Sequence, residues 1–294
     1  NGASHFFQLG ATAYDEGDVH SVYYGVHYRI PNGGGFFADR AVISVPSQDN
    51  GGEMLAGNVL TVKLYEWNDA DEDMNAQDTE RTIVAIGIYE FTGSEPAPNT
   101  TPSTQEVQLL GITAGEAPAL KDDTDYILMV EFDSPGDNIN MPLAITRDYD
   151  YTGNFVLGEQ VPEVSANSTF IKTGSTDTEF NFGGLGYRYV PVARLYITTS
   201  DPTPVREIAG LNSITLGPNP ASDYIQMEIT AEEPLGDSHL VLFDANGFAV
   251  KYFQVHLGTF DSVQMPLADV PSGQYYLGLK TASGQQFQPV QIIK

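Results

Sequence analysis

The chain has 294 residues, with 13 Lys or Arg against 39 Asp or Glu, and no cysteine. A formal charge of −26 repels phosphate backbones and anionic lipid, which excludes nucleic acid and membrane surfaces as partners and leaves cations and neutral glycans. Without cysteine there is no disulfide scaffold, thiolate zinc site, iron–sulfur cluster or cysteine nucleophile, while 41% hydrophobic content at this length suits two folded domains.

Few segments carry the i, i+3, i+4 apolar spacing of a helix; many alternate with period two between Gly, Pro, Asn and Asp. In residues 22–30, Val22, Tyr24, Val26, Tyr28 and Ile30 form one face, and Tyr23, Gly25, His27 and Arg29 the other. This predicts a strand with a core face and a wetter face. Residues 59–67 and 82–91 are apolar on both faces, as expected of central strands in a packed sandwich. Further strands are predicted near 40–46, 105–111, 124–132, 168–173 and 188–198. The Pro-containing stretch from Gly93 to Pro102 reads as a long surface loop within one sandwich. No apolar run reaches the ~20 residues of a transmembrane segment. A numbering that opens at Asn1, without Met or leader, is what a processed export product would give.

A composition break at 199–204 carries two prolines and predicts an extended linker over 201–210. Residues 1–200 hold 9 basic and 29 acidic residues, a net of −20, whereas 211–294 hold 3 and 8, a net of −5. The acidic load therefore belongs to a first domain at 1–200. In the second, at 211–294, Tyr224 to Thr230 alternates Ile225, Met227 and Ile229 with polar residues. Strands at 238–244 and 248–255 flank Ala245-Asn246-Gly247, a hairpin turn in which positive φ is cheap. Residues 274–281 alternate again, and 287–293 end the chain. Pro289 has no amide to donate, so this last strand is expected at a sheet edge or a bulge. About seven short strands in this length predict a small Ig-like sandwich.

The segments Leu216-Gly217-Pro218-Asn219-Pro220-Ala221-Ser222-Asp223, Leu242-Phe243-Asp244-Ala245-Asn246-Gly247, Ser272-Gly273-Gln274-Tyr275-Tyr276-Leu277 and Ile292-Ile293-Lys294 together resemble the C-terminal sorting domain of the type IX (Por) secretion system. Gly217 departs from the aromatic residue often found before the Pro. Within that resemblance the motif residues are Pro218, Asn219, Pro220, Asp244, Gly247, Gly273, Tyr275 and Lys294. It implies export across a Gram-negative outer membrane, handling by the outer-membrane secretion machinery, and an extracellular or outer-surface location. In that family the domain is an address and leaves the cargo's role open.

Chemistry concentrates at 69–80. Oxygen-bearing residues occupy positions 1, 3, 5, 7, 9 and 12 of a twelve-residue loop from Asp69, the spacing of an EF-hand calcium site, in which alternate side chains converge on one ion. Asp69, Asp71, Asp73, Asn75 and Glu80 are the candidate ligands, and hard oxygen donors suit a structural Ca²⁺. Two features depart from the pattern: Met74 stands where the turn normally requires Gly, and the flanks read as strands. The plainer alternative is a solvated acidic hairpin loop. Tyr149 and Tyr151 fall in a loop beside Asp148 and Asp150, and Tyr187 in a glycine-rich loop; exposed tyrosines with nearby carboxylates stack on sugars, and tyrosines equally cap a sandwich core. The five histidines lack metal-ligand spacing, and no nucleophile elbow or phosphate loop is present.

The expectation is an all-β protein: a jelly-roll-like β-sandwich followed by a seven-stranded Ig-like sandwich. The expected function is a non-catalytic structural or adhesive surface component, exported by the type IX route, that forms a homopolymeric filament through its β-edges. The alternatives are a secreted carbohydrate-binding module that takes a glycan and, further off, a secreted glycoside hydrolase built on a carboxylate pair.

Overall fold

The computed structural model describes residues 5–7, 21–49, 51–98, 100–112, 118–133, 141–145, 169–173, 179–182, 190–199, 208–244 and 249–294. They are nearly all β, with no α-helix among the described residues and none long and apolar enough to cross a membrane. The chain divides into two compact units: Asn1–Leu109 with Pro118–Ser200, and Leu110–Ala117 with Asp201–Lys294. Most of the expected linker, 201–207, and the Asn-Gly turn at 245–247 lie outside the described residues.

In chain order the first unit contains β1 (His5–Phe7), β2 (Ser21–Ile30), β3 (Phe37–Ile43), β4 (Val59–Trp67), β5 (Ala76–Gln77), β6 (Arg81–Glu90) and β7 (Gln105–Gln108). β8 (Leu110–Gly111) groups with the second unit; β9 (Thr124–Asp133), β10 (Leu143–Ile145), β11 (Thr169–Thr173), β12 (Glu179–Phe182) and β13 (Ala193–Thr198) return to the first. β5-β12-β11-β2-β9-β4-β6 follow one another across a large antiparallel sheet, and β13-β3-β7 form a smaller one. Apart from β11 and β12, strands that neighbour in these sheets are well separated in sequence, so most registers are set by facing side chains and not by tight turns.

Alternation fixes which face packs. Val22, Tyr24 and Val26 on β2 pair with Phe132, Val130 and Leu128 on β9, and Leu60, Val62 and Leu64 continue the same face on β4. Ala38, Ala41 and Ile43 of β3, Val107 of β7 and Ala193 of β13 meet this face from the small sheet. The Tyr28 hydroxyl donates to the Ala193 carbonyl at 2.9 Å and ties the two layers together. Gly25 lies so close to β9 that an added Cβ would sit 2.5 Å from the Leu128 carbonyl oxygen.

The second face of the large sheet differs from the expectation. Tyr23, read as part of a wetter face, is buried, as are Lys63, Glu131 and Lys172 around it. His27 is largely buried beside Trp67 and Phe170, its ring centroid 5.5 Å and 6.5 Å from theirs. Only Arg29, at the strand end, reaches solvent to the extent the alternation suggested.

The second unit contains β14 (Leu211–Gly217), β15 (Tyr224–Ala231), β16 (Gly236–Asp244), β17 (Ala249–Leu257), β18 (Phe260–Pro266), β19 (Gly273–Lys280) and β20 (Gln285–Ile292). Sheets β14-β15-β18 and β17-β16-β19-β20 enclose a core of Ile225, Met227, Ile229, Leu240, Leu242, Leu277 and Leu279 among others, a seven-stranded sandwich. Pro289 lies on β20, at the edge of its sheet.

The loop after β6 turns on one carboxylate. Glu95, 6% exposed, accepts the Tyr89 hydroxyl at 2.6 Å, the Thr92 amide at 2.8 Å and hydroxyl at 3.0 Å, and the Gly93 amide at 2.8 Å. Burial pushes its pKa up, but these donors outweigh burial and hold it below the ordinary value. Because the folded value is depressed, the stabilisation is present above the unfolded value near ~4.3 and is lost as pH falls through the folded one. Glu95→Gln, which sets an amide NH₂ against these donors, is expected to lose about 1–3 kcal/mol at neutral pH and to flatten this acid limb. Urea midpoints between neutral and acid pH check it; an unchanged acid limb contradicts the assignment.

Candidate metal loop and sorting motif

The 69–80 loop leaves β4 just beyond Trp67 and re-enters the large sheet as β5, whose Gln77 and Ala76 pair with Glu179 and Phe180 of β12. Carboxylate oxygens of Asp69, Asp71 and Asp73 lie within 4.8 Å of one another. Alternate acids curl the backbone: Asp71 Oδ1 accepts the Asp73 amide at 3.2 Å, Asp73 Oδ1 accepts the Asn75 amide at 2.7 Å, and Asp69 Oδ2 accepts the Met74 amide at 3.2 Å. Met74 adopts φ +67° and Glu72 φ +61°, so the turn usually made by glycine is made here by Met74 itself, at a backbone cost of about 1–2 kcal/mol.

Glu80 ends a short 3-10 turn, Asp78–Glu80, and reaches back to accept the Ala70 amide at 2.8 Å and the Gln77 amide at 3.3 Å. It closes the loop without joining the three aspartates directly. The Asn75 amide group lies on Asp73 Oδ2 at 3.5 Å. Gln77, at the ninth position, donates to Asp71 Oδ2 at 3.4 Å and Asp73 Oδ2 at 3.2 Å, occupying acceptors that a cation would use.

The donor set fits a hard divalent ion. Asp69 Oδ1 and Gln77 Oε1 are buried oxygens with no hydrogen-bond partner among the described residues. Burial, followed by the negative charges of Glu80, Asp73 and Asp71, outweighs the Met74 amide and raises the Asp69 pKa. A cation would supply what these oxygens lack and relieve the repulsion.

The sheet's second face holds a group that sequence reading missed. Lys63 of β4 and Glu131 of β9 form an ion pair with each side chain 1% exposed. The Tyr65 hydroxyl donates to the other Glu131 oxygen at 2.7 Å, and burial together with Glu131 pushes the Tyr65 pKa well up, so it remains a donor. Lys172 lies 5.0 Å from the Tyr23 ring centroid, and Tyr23 donates to Asp133 at 2.5 Å. Burial lowers the Lys172 pKa, partly offset by Glu131 and Asp78. Arg81 stacks 3.5 Å over the Phe180 ring and pairs with Asp78. At the far end His27 Nε2 meets Asp125 at 2.7 Å, and Arg29 donates to the same carboxylate at 2.5 Å. The available signal was a charge set directly between apolar neighbours within a strand: Lys63 between Val62 and Leu64, and Glu131 between Val130 and Phe132.

Most of the described motif residues of the second unit gather around the end of β20. Asn219 spans its outer edge, accepting the Gln291 amide at 2.9 Å and donating to the Pro289 carbonyl at 3.3 Å. Ala221, just beyond Pro220, completes a parallel bridge to Ile292, donating to Gln291 and accepting from Ile293 at 2.8 Å each. Pro218 precedes this clasp. Lys294 Nζ donates to the Leu267 carbonyl at 2.7 Å, and its amide to Ser272 Oγ at 2.8 Å. Tyr275 is buried in the core, and its hydroxyl bonds to the Pro271 carbonyl at 3.0 Å. Asp244 and Gly273 pair with Tyr275 and Ile292 across β19. Gly247, Tyr149, Tyr151 and Tyr187 lie outside the described residues.

Residues 215–294 match the family described as Secretion system C-terminal sorting domain, whereas the N-terminal part matches no family. This domain marks proteins exported by the type IX system to the cell surface or extracellular space of Gram-negative bacteria, which fixes the route and destination of this protein and implies contact with the secretion machinery. No curated relative matches the chain. Among solved structures, β-glucuronidase from Ruminococcus gnavus is 10% identical over 99% of this chain and 39% of its own, with a TM-score of 0.23. Dimeric latent PorU from Porphyromonas gingivalis is 12% identical over 94% and 34%, with a TM-score of 0.25. The chain thus spans 39% of the first and 34% of the second, and at such TM-scores neither fold nor function follows from the likeness.

Asn219→Ala removes both side-chain bonds to β20 and is expected to cost the second unit about 1–2 kcal/mol, with Asn219→Asp, which keeps the acceptor, in between. Denaturant midpoints test the ranking; an alanine variant as stable as wild type would mean that Asn219 does not clasp the edge.

Proposed function

We infer that this protein is a non-catalytic structural or adhesive component of the cell surface that self-assembles through a strand edge, with a structural calcium ion in its 69–80 loop. The observation that carries the assembly reading is the contrast between the two edges of the four-stranded sheet. The outer edge of β20 is engaged by Asn219 and Ala221. The nine-residue β17 borders only β16 among the described residues, and it exposes Val250 at 39% and Tyr252 at 41%. Natural edges of that length are blunted by charge, proline or cover; β17 has no proline and a single lysine, Lys251. Such an edge is a template for a strand from a second copy, and a contact using different surfaces on the two partners propagates as a filament.

The calcium reading rests on the three convergent aspartates and the two orphaned buried oxygens beside them. The ion would stiffen the crossing into β5 and neutralise charge; Lewis-acid chemistry is not part of the proposal.

Two measurements test these readings. Light scattering on native full-length protein is expected to give species far above the 31.9 kDa monomer, which Tyr252→Lys on the edge converts to monomer; a monomeric wild type at high concentration rules out assembly. Calcium against chelator is expected to raise the melting temperature by about 5–10 °C at a hundredfold excess over Kd, and Asp71→Asn with Asp73→Asn to abolish the rise. A wild type indifferent to calcium removes the ion.

A further inference from the structure

The Lys63–Glu131 pair is more than a buried ion pair requires. It joins β4 to β9 at the middle of the large sheet, with Thr61 opposite Glu131 and Lys63 opposite Met129, so the two side chains are diagonal neighbours on one face. Ile86 and Ile88 of β6, opposite Lys63 and Thr61, and Met129 wall the site, and all three are buried. Nζ contacts Oε2, while Tyr65 donates to Oε1. The amine, the carboxyl carbon and a donor on the oxygen that will carry negative charge are therefore already assembled away from water.

We propose that Lys63 and Glu131 condense into an isopeptide bond that cross-links β4 to β9. Proton transfer from Nζ to Oε2 within the pair gives an amine and a carboxylic acid in contact with each other. The Nζ lone pair attacks the Glu131 carboxyl carbon, and Oε1 carries the developing charge against the Tyr65 hydroxyl, as an oxyanion donor would. The C–Oε2 bond then breaks and Oε2 departs as water. Both hydrogens of that water come from the three originally on Nζ, and one stays on the amide nitrogen. The reaction balances without oxidant, metal or activating group, and the charge of the cluster is unchanged because one cation and one anion vanish together. Fixed proximity supplies the effective concentration that free lysine and glutamate lack in water. Lys172 and Arg81 remain to balance Asp78 and Asp133 on the same face. This inference does not depend on assembly or on calcium.

The test is the intact mass of the full-length protein under denaturing conditions. The expected value lies below that calculated from the sequence by one water, ~18 Da. Tryptic digestion should give peptide 41–81, uncut at Lys63, joined to peptide 122–147. Lys63→Met should restore the full calculated mass and two separate peptides; Tyr65→Phe should leave a mixture of linked and unlinked chains. If Lys63→Met does not fold, the wild-type mass and peptide map decide alone. A wild type at its full calculated mass, or a lost water mapped to other residues, overturns the proposal.

Discussion

The first unit is organised by the burial of both faces of its large sheet. One face is settled by alternation, since Val22, Tyr24 and Val26 and their partners on β9 and β4 are apolar and pack against the small sheet. The other cannot be settled that way, because it carries Tyr23, Lys63, Glu131 and Lys172 in a buried setting. A buried charge without a partner costs several kcal/mol, so each of these groups constrains where the others lie. Their partners are supplied by strands far apart in the chain, Lys63 and Glu131 being 68 residues apart. Strand order and buried polar network are thus one problem with one solution.

That constraint also explains how the charge is distributed. Residues 1–200 contain only nine Lys and Arg, and Lys63, Arg81 and Lys172 have their side chains drawn onto the buried face. Cations used there are missing from the exterior, where six carboxylates crowd the 69–80 loop. There burial first, and then the negative charges of Glu80, Asp73 and Asp71, raise the Asp69 pKa. Arg81 links the two regions directly, since it pairs with Asp78 at the loop's end while stacking on Phe180.

Period-two alternation made the strands legible, and the missing amide of Pro289 called for an edge or a bulge, of which the fold has the edge. It failed at Tyr23 and His27, where polar groups alternating with apolar ones look solvated but are buried against partners that only the tertiary fold supplies. Short elements escaped for a related reason: β5, β10 and β12 have two to four residues, too few for a period to show. β14 and β18 are longer, but their alternation is diluted by Asn212, Ser213, Asp261 and Ser262. The acid spacing of the 69–80 loop was readable because each side chain serves its own local turn. Met74 argued against it on statistical grounds, yet the Asp69 bond to its amide holds the left-handed conformation in place.

The sorting domain meets the same polar-satisfaction problem at an edge instead of on a face. At about 84 residues with no disulfide, its margin is small, and its last strand is held on one side only by β19. Asn219 imitates a neighbouring strand by presenting an acceptor to Gln291 and a donor to Pro289, and proline at 289 suits the arrangement because no outward amide is left wanting a partner. Lys294 and Ala221 fasten the last residues beyond it. Most of the described residues that identify the family, Asp244 on β16 excepted, therefore sit where the terminal strand is locked. The bonds made by Asn219, Ala221 and Lys294 are thus the bonds that close the edge of the sandwich.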